Sequence, residues 1–206
     1  ISDAAALINK SKKPFIVWGQ GVILGNAEKE FTEFIDKSGI PSAWTILGLS
    51  AIPTDHPLNV GMLGMHGNYG PNKLTNECDL LIAIGMRFDD RVTGDLKTYA
   101  RQAKIIHFEI DPAEINKNVK VDVAVLGDVK KTLKKILPKI IKKNHSSWIE
   151  KFRELNKIEF KKVIDTEYNK TSGGLSMAEV IKSINQNSNG ESILVTDVGQ
   201  HQMVAC

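Results

Sequence analysis

The chain has 206 residues, of which 42% are hydrophobic and 25% charged, with a net charge of +3, a balance suited to one full soluble domain and part of a second. Much of the lysine excess falls in residues 130–143, where it alternates with apolar residues as on a solvated helix face, which argues against a nucleic-acid surface. Two cysteines, Cys78 and Cys206, stand in no CxxC or Cys/His spacing, which excludes a disulfide framework and fits a reducing, cytoplasmic setting. No stretch approaches the run of about 18 apolar residues that spans a bilayer, and no signal-peptide pattern opens the chain, so no membrane partner is expected.

Ala4 to Lys10 is a short helical pattern, and Pro14 to Trp18 an apolar strand that closes on Gly19-Gln20-Gly21. A helix comes next, with Asn26 as candidate cap, Ala27, Phe31, Phe34 and Ile35 at helical spacing, and Gly39 past its last turn. Ile40 to Leu47, Leu80 to Gly85, Lys104 to Ile110 and Val121 to Gly127 read as further strands. Short apolar strands alternating with helices predict a doubly wound α/β domain with a parallel sheet, spanning residues 1–140. Asp128 is the expected cap of a helix whose face is Val129, Leu133, Ile136 and Leu137. Residues 141–174 read as a polar, lysine-rich linker broken at Thr171-Ser172-Gly173-Gly174. Residues 175–206 read as the start of a second α/β domain, with a helix over Ser176 to Asn185 and a strand over Ser192 to Gly199. The chain begins without methionine and stops just after that strand-and-turn pattern, which is expected of a piece of a longer polypeptide.

Residues 85–94, Gly-Met-Arg-Phe-Asp-Asp-Arg-Val-Thr-Gly, carry the most information. An apolar run ends in Gly85, and Arg87, Asp89, Asp90 and Arg91 come after it, just beyond the carboxyl end of a buried strand, where open α/β sheets bind ligands. Two surface salt bridges worth ~0 to 1 kcal/mol each are the competing explanation. Gly19-Gln20-Gly21 with Gly25 is one residue off the dinucleotide fingerprint, and serves either a phosphate or the sterics of a tight turn. Glu109 ends a strand, where a carboxylate can hold ribose hydroxyls. Asp111 before Pro112 reads instead as the cap of a helix over Pro112 to Lys117. Gly61 to Gly67 (GMLGMHG) is either a mobile surface turn or a loop whose exposed Leu63 and Met65 lie under a flat ring system. No metal-ligand spacing and no Ser/His/Asp arrangement is legible.

Taken together, Gly61 to Gly67 (GMLGMHG), Arg87 to Gly94 (RFDDRVTG), His107 to Asn116 (HFEIDPAEIN) and Thr196 to Gln202 (TDVGQHQ) closely resemble the acetolactate synthase (acetohydroxyacid synthase) large-subunit family. Their order matches that family's Rossmann-like central domain, its linker and the start of its thiamine-diphosphate domain. RFDDRVTG is similar to the FAD-containing biosynthetic branch.

The resemblance implies a transferase dependent on thiamine diphosphate and magnesium. Such an enzyme decarboxylates pyruvate and joins the two-carbon unit to pyruvate or 2-oxobutyrate, opening branched-chain amino-acid biosynthesis. It implies a homodimer or tetramer and a small regulatory subunit. It also implies FAD, without a net redox role, on the central domain. The matching cofactor positions are Gly19, Gln20 and Gly21; Thr45 and Ile46; Leu63, Gly64, Met65 and His66; Gly85, Arg87, Asp89 and Val92; Glu109 and Ile110; and Gly127, Asp128 and Val129. Met65 and Arg91 match a substrate channel, and Val198, Gly199, Gln200 and His201 the loop at the thiamine diphosphate. Gln20, Ile46 and Met86 depart from the family's glycine, leucine and alanine, and Gln20 puts a side chain where the cofactor approaches. The magnesium motif and the catalytic glutamate belong to other parts of such an enzyme, so this piece is expected to be inactive and to have weakened FAD affinity. The competing class is a non-catalytic nucleotide-binding module that puts NAD or ADP ribose on Glu109.

Overall fold

The computed structural model describes residues 1–169, 172–189 and 191–206, which divide into two compact units, Ile1–Glu154 and Leu155–Cys206. In the first, six parallel strands form one sheet in the order β3-β2-β1-β4-β5-β6, with β1 Pro14–Trp18, β2 Ser42–Trp44, β3 Asn59–Met62, β4 Leu80–Ile84, β5 Lys104–Glu109 and β6 Val123–Leu126. β1, β4 and most of β5 are buried along their whole length, as sheets covered on both faces require. This is the doubly wound α/β architecture expected from the alternation of apolar runs and helices.

Alternate residues divide the sheet's two faces. Ile16, Trp18, Ile82, Ile84, Ile106 and Phe108 share one core with helices α1 (Ser2–Lys10), α3 (Glu28–Ser38) and α6 (Val129–Ile136), through Ala4, Ile8, Phe31, Phe34, Leu133 and Ile136. On the other face Phe15 meets Phe152, with ring centroids 5.0 Å apart. Phe152 belongs to α7 (Ser146–Glu159), and Trp148 of the same helix donates Nε1–H to the Pro14 carbonyl at 2.9 Å. Both rings are buried, and covering a large apolar side chain contributes about 1.5–3 kcal/mol. The lysine-rich stretch after α6 thus supplies part of the core.

Several local expectations change. The helix after Gly19-Gln20-Gly21 is two pieces, α2 (Gly21–Leu24) and α3, because Asn26 has φ 46°, the left-handed conformation asparagine tolerates better than most residues. Ala27, not Asn26, precedes α3, whereas Gly39 closes it at φ 66°. The strand expected over Ile40 to Leu47 is only Ser42–Trp44. β3 has no counterpart among the expected strands, its glycine interrupting an already short run. Asp111 caps Ala113 N at 2.8 Å as expected, but the helix it starts is a single 3₁₀ turn, Pro112–Glu114. Asp128 caps α6 through Lys131 N at 2.9 Å. The remaining short α-helices of this unit are α4 (Tyr69–Leu74) and α5 (Asp90–Thr93), and 3₁₀ turns lie at Ile46–Gly48 and Leu137–Lys139.

The second unit contains a π-helical turn (Phe160–Ile164), α8 (Asp165–Tyr168), α9 (Met177–Asn187) and α10 (Gln200–Ala205). A capping box at Ser176 and Glu179 starts α9, close to where the sequence pattern put it. The expected strand over Ser192 to Gly199 is not formed. Its ladder needs a neighbouring strand, and none pairs with it among the described residues, so Ile193, Val195 and Val198 stay exposed. Of the chain break expected at Thr171 to Gly174, Thr171 lies outside the described residues.

Candidate functional site

Strand order reverses between β1 and β4, so the turns leaving these two strands flank the crevice where doubly wound sheets take ligands. Here the two turns are interleaved. Gly19 N donates to Ile84 O at 3.0 Å and Gly21 N to Gly85 O at 2.9 Å. A Cβ on Gly21 would lie 2.6 Å from Gly85 Cα, and Gly85 itself has φ +57°. Glycine is therefore needed at these positions by the neighbouring turn, whatever ligand lies above them. Gln20, between the two glycines, is exposed.

The charged segment after β4 is organised by Asp89, whose Oδ1 accepts from Arg91 N at 3.1 Å and Val92 N at 3.3 Å, starting α5. Arg87 reaches Asp89 only at 4.0 Å, with the arginine largely in solvent and the aspartate half-exposed, so this pair contributes little. Among the described residues Asp90 and Arg91 make no ion pair. Of the two surface salt bridges considered for this segment, the geometry supports one weak one and leaves Arg87 and Arg91 exposed at the strand's carboxyl end.

The GMLGMHG segment is an anchored loop. Gly61 and Met62 lie in β3, and Leu63 N continues the ladder to Trp44 O at 2.8 Å, which turns Leu63 inward. Leu63 is buried, contrary to the exposure expected of it, while Met65 is 60% exposed and His66 is exposed. Asn68 Oδ1 accepts from Met62 N at 2.8 Å, and Asn72 donates to Gly64 O at 2.8 Å and accepts from Gly64 N at 3.0 Å. Met65 N donates to Arg91 O at 2.7 Å, joining this loop to the charged segment. Asn68 and Asn72 escape a reading of the sequence. Their only signal is two asparagines a helical turn apart beside a glycine loop. On the neighbouring strand's exit, Thr45 N bonds Trp18 O at 2.8 Å, Ile46 is half-buried, and Leu47 is exposed.

At the end of β5 the Glu109 carboxylate accepts from Ile110 N at 2.8 Å and Asp111 N at 3.2 Å, with His107 Nε2 3.5 Å away. Burial alone would raise its pKa, but the hydrogen bonds from His107, Asp111 N and Ile110 N outweigh burial and hold it below the usual carboxylate range. Glu109 is thus a fixed anion. At β6, Gly127 N bonds Glu109 O at 2.9 Å, Asp128 is occupied in capping α6, and Val129 is buried. In the second unit Val198 is exposed, Gly199 precedes α10, and His201 borders a small apolar cavity with Leu175, Met177, Val180 and Ile181.

One further pattern joins the strand exits. Leu47, Met65, Ile110 and Leu126, each at or shortly after a strand's carboxyl end, and Leu24 at the end of α2, are 53–71% exposed. Among the described residues no group of three or more His, Cys, Asp or Glu side chains is placed to hold a metal, and no helix is long and apolar enough to cross a membrane.

The sheet order and the covering helices define a doubly wound α/β domain, the class of fold that takes ligands at the carboxyl ends of its strands. Residues 1–136 match the family model for the thiamine pyrophosphate enzyme central domain, and the chain belongs to that family. It is 42% identical to a probable acetolactate synthase large subunit of Methanocaldococcus jannaschii, over 98% of this chain and 35% of that protein. It is 39% identical to acetolactate synthase large subunits of Buchnera aphidicola subsp. Schizaphis graminum, over 98% of this chain and 35% of the relative, and of Corynebacterium glutamicum, over 100% and 33%. The chain spans about a third of the length of these curated relatives.

Proposed function

We propose that this chain is the cofactor-holding part of an acetolactate synthase large subunit, with FAD lying along the carboxyl rim of the sheet. The observation that carries this reading is the set of exposed apolar side chains, Leu24, Leu47, Met65, Ile110 and Leu126, on a unit whose strand residues are mostly buried. Such exposed apolar surface is unusual unless a ligand covers it. The donor set suits a dinucleotide. Arg87 is a solvent-facing cation for phosphate, Glu109 a fixed anion for hydroxyl groups, and Met65 a soft cover for a flat ring. Gly19, Gln20, Gly21, Gly85, Asp89 and Val92 would line the middle of that rim, Thr45, Ile46, Leu63, Gly64 and His66 one end, and Gly127, Asp128 and Val129 the other. Arg91, exposed beside Met65, would border the way to the reaction centre.

The parent enzyme would convert pyruvate, with pyruvate or 2-oxobutyrate as acceptor, and assemble as an oligomer able to take a small regulatory subunit. Thiamine diphosphate, when bound, supplies the electron sink for decarboxylation. This chain would offer it only the Val198-Gly199-Gln200-His201 loop, through exposed amide and imidazole groups, and Mg2+ would be held by residues of the parent outside this chain. An NAD-binding module is the weaker reading. That use of the fold needs a carboxylate at the end of the second strand, where this chain has Trp44 and Thr45.

The test is a titration of this chain with FAD, NAD and ADP, monitored by flavin and tryptophan fluorescence. FAD should bind most tightly, and the chain alone should form no acetolactate from pyruvate. NAD binding as tight as FAD binding would overturn the reading.

A further inference from the structure

The β4–β5 ladder ends where Gly85 N donates to Phe108 O at 2.9 Å. Beyond that point the strands part. Gly85 O is taken by Gly21 N, and Ile110 N turns to the Glu109 carboxylate. What spans the gap is a side chain: His107 Nε2 lies 2.9 Å from Met86 O and 3.5 Å from Glu109 Oε2, with Phe88 edge-on to the imidazole at 5.0 Å. His107 is 0% exposed, and its Nδ1 has no partner. A carbonyl can only accept, so Nε2 carries a proton and faces the Met86 carbonyl.

We propose that His107 is a positioning residue for the rim. Its Nε2–H bonds the backbone carbonyl just before Arg87, with the Glu109 carboxylate in longer charge contact at 3.5 Å, and so sets the spacing at which the cation of one loop and the anion of the next meet a bound dinucleotide. A buried histidine with one nitrogen unpaired is a poor way to fill a core. Leucine would fill that space without leaving a polar atom bare, and the contacts at Nε2 are what histidine adds. This inference rests on the rim being the dinucleotide site, and its measurements separate the two ideas.

In the wild-type chain, ¹⁵N correlation spectra of the ring should show the proton on Nε2. An Nε2 without a proton would overturn the proposal. His107→Leu should speed amide hydrogen exchange at Arg87 to Val92 and at Ile110 and Asp111, leave β1 unchanged, and weaken FAD binding roughly tenfold, the loss expected for one buried hydrogen bond. His107→Gln, which keeps an N–H donor of similar reach, should recover most of the affinity and protection, and it carries the comparison if the leucine variant fails to fold. Wild-type FAD affinity and exchange in a folded His107→Leu variant would overturn the positioning role. Failure of the wild-type chain to bind FAD would instead overturn the site reading, and with it the ligand half of this proposal.

Discussion

At the amino end of the sheet the loop entering β1 is gathered onto one carboxylate. Asp79 accepts from Ser11 Oγ, from Lys12 N at 2.8 Å and from Lys13 N at 2.9 Å, while its own N–H bonds Lys13 O at 3.1 Å. Asp122 does the same for Ile105 N at 2.9 Å. At the carboxyl end, the Asp89 and Glu109 carboxylates hold their own turns, but large apolar side chains and two arginines are left facing outward. The same sheet therefore ends in a closed polar clamp on one side and an unfinished surface on the other. Folding needs both ends' backbone groups satisfied, and only the carboxyl end keeps side chains in reserve.

The sharpest way to break this comparison is at the tight approach of the two interleaved turns. Gly21→Ala forces a Cβ to 2.6 Å from Gly85 Cα and should cost about 3 kcal/mol, the upper end of the usual overpacking range. At ~2–4 °C per kcal/mol, thermal denaturation should show a fall of roughly 10 °C. A fall of a degree or less would mean that the two turns can part. Next, Asp79→Ala should cost about 1 kcal/mol in urea denaturation, because water competes for the exposed carboxylate. An unchanged midpoint would mean that the clamp is replaced by solvent.

The clamp also predicts acid sensitivity. Burial would raise the Asp79 pKa, but hydrogen bonds from Ser11, Lys12 N and Lys13 N hold it below the ordinary value. Burial, and then the Lys143 charge, hold the neighbouring His145 below the usual histidine range. Both folded values are depressed, so the unfolded chain binds more protons in each window and the stability is lost as pH falls. It should be complete above about pH 6.5, drop first as His145 is forced to charge, and drop again below about pH 4 as Asp79 protonates. His145→Gln should remove the first step. If the first step persists in that variant, its source lies elsewhere. The smallest stability effects belong to the rim. Ile110→Ser and Arg87→Ala should each change stability by under about 0.5 kcal/mol, yet weaken FAD binding in the fluorescence titration. Destabilisation by about 2 kcal/mol or more would show that these side chains serve the fold.

Much of the fold is readable from local pattern. The uninterrupted apolar runs become β1, β4 and β5, and Gly39, Asp111, Asp128 and Ser176 act as the chain punctuation their chemistry suits. Less readable are features that depend on distant partners. β3 is a half-buried edge strand with a glycine inside it, Leu63 turns inward because Trp44 O takes its N–H, and α7 is core because β1 offers Phe15 to it. The Ser192 to Gly199 run has strand composition but, among the described residues, no neighbour to complete a ladder.

The candidate site divides in the same way. Motif order alone identified the thiamine pyrophosphate enzyme family and pointed to the strand ends, since those motifs are contiguous and chemically distinctive. Only the tertiary structure decided that Gly21 and Gly85 exist for each other. It likewise decided that Leu63 is hidden while Leu47 and Leu126 are exposed, and that His107 bridges two loops. A residue's type and spacing set what it can bond to. Which of those bonds it makes depends on groups that strand pairing and helix packing bring close from far along the chain, 21 residues away for His107 and 134 for Trp148, and no local pattern records them.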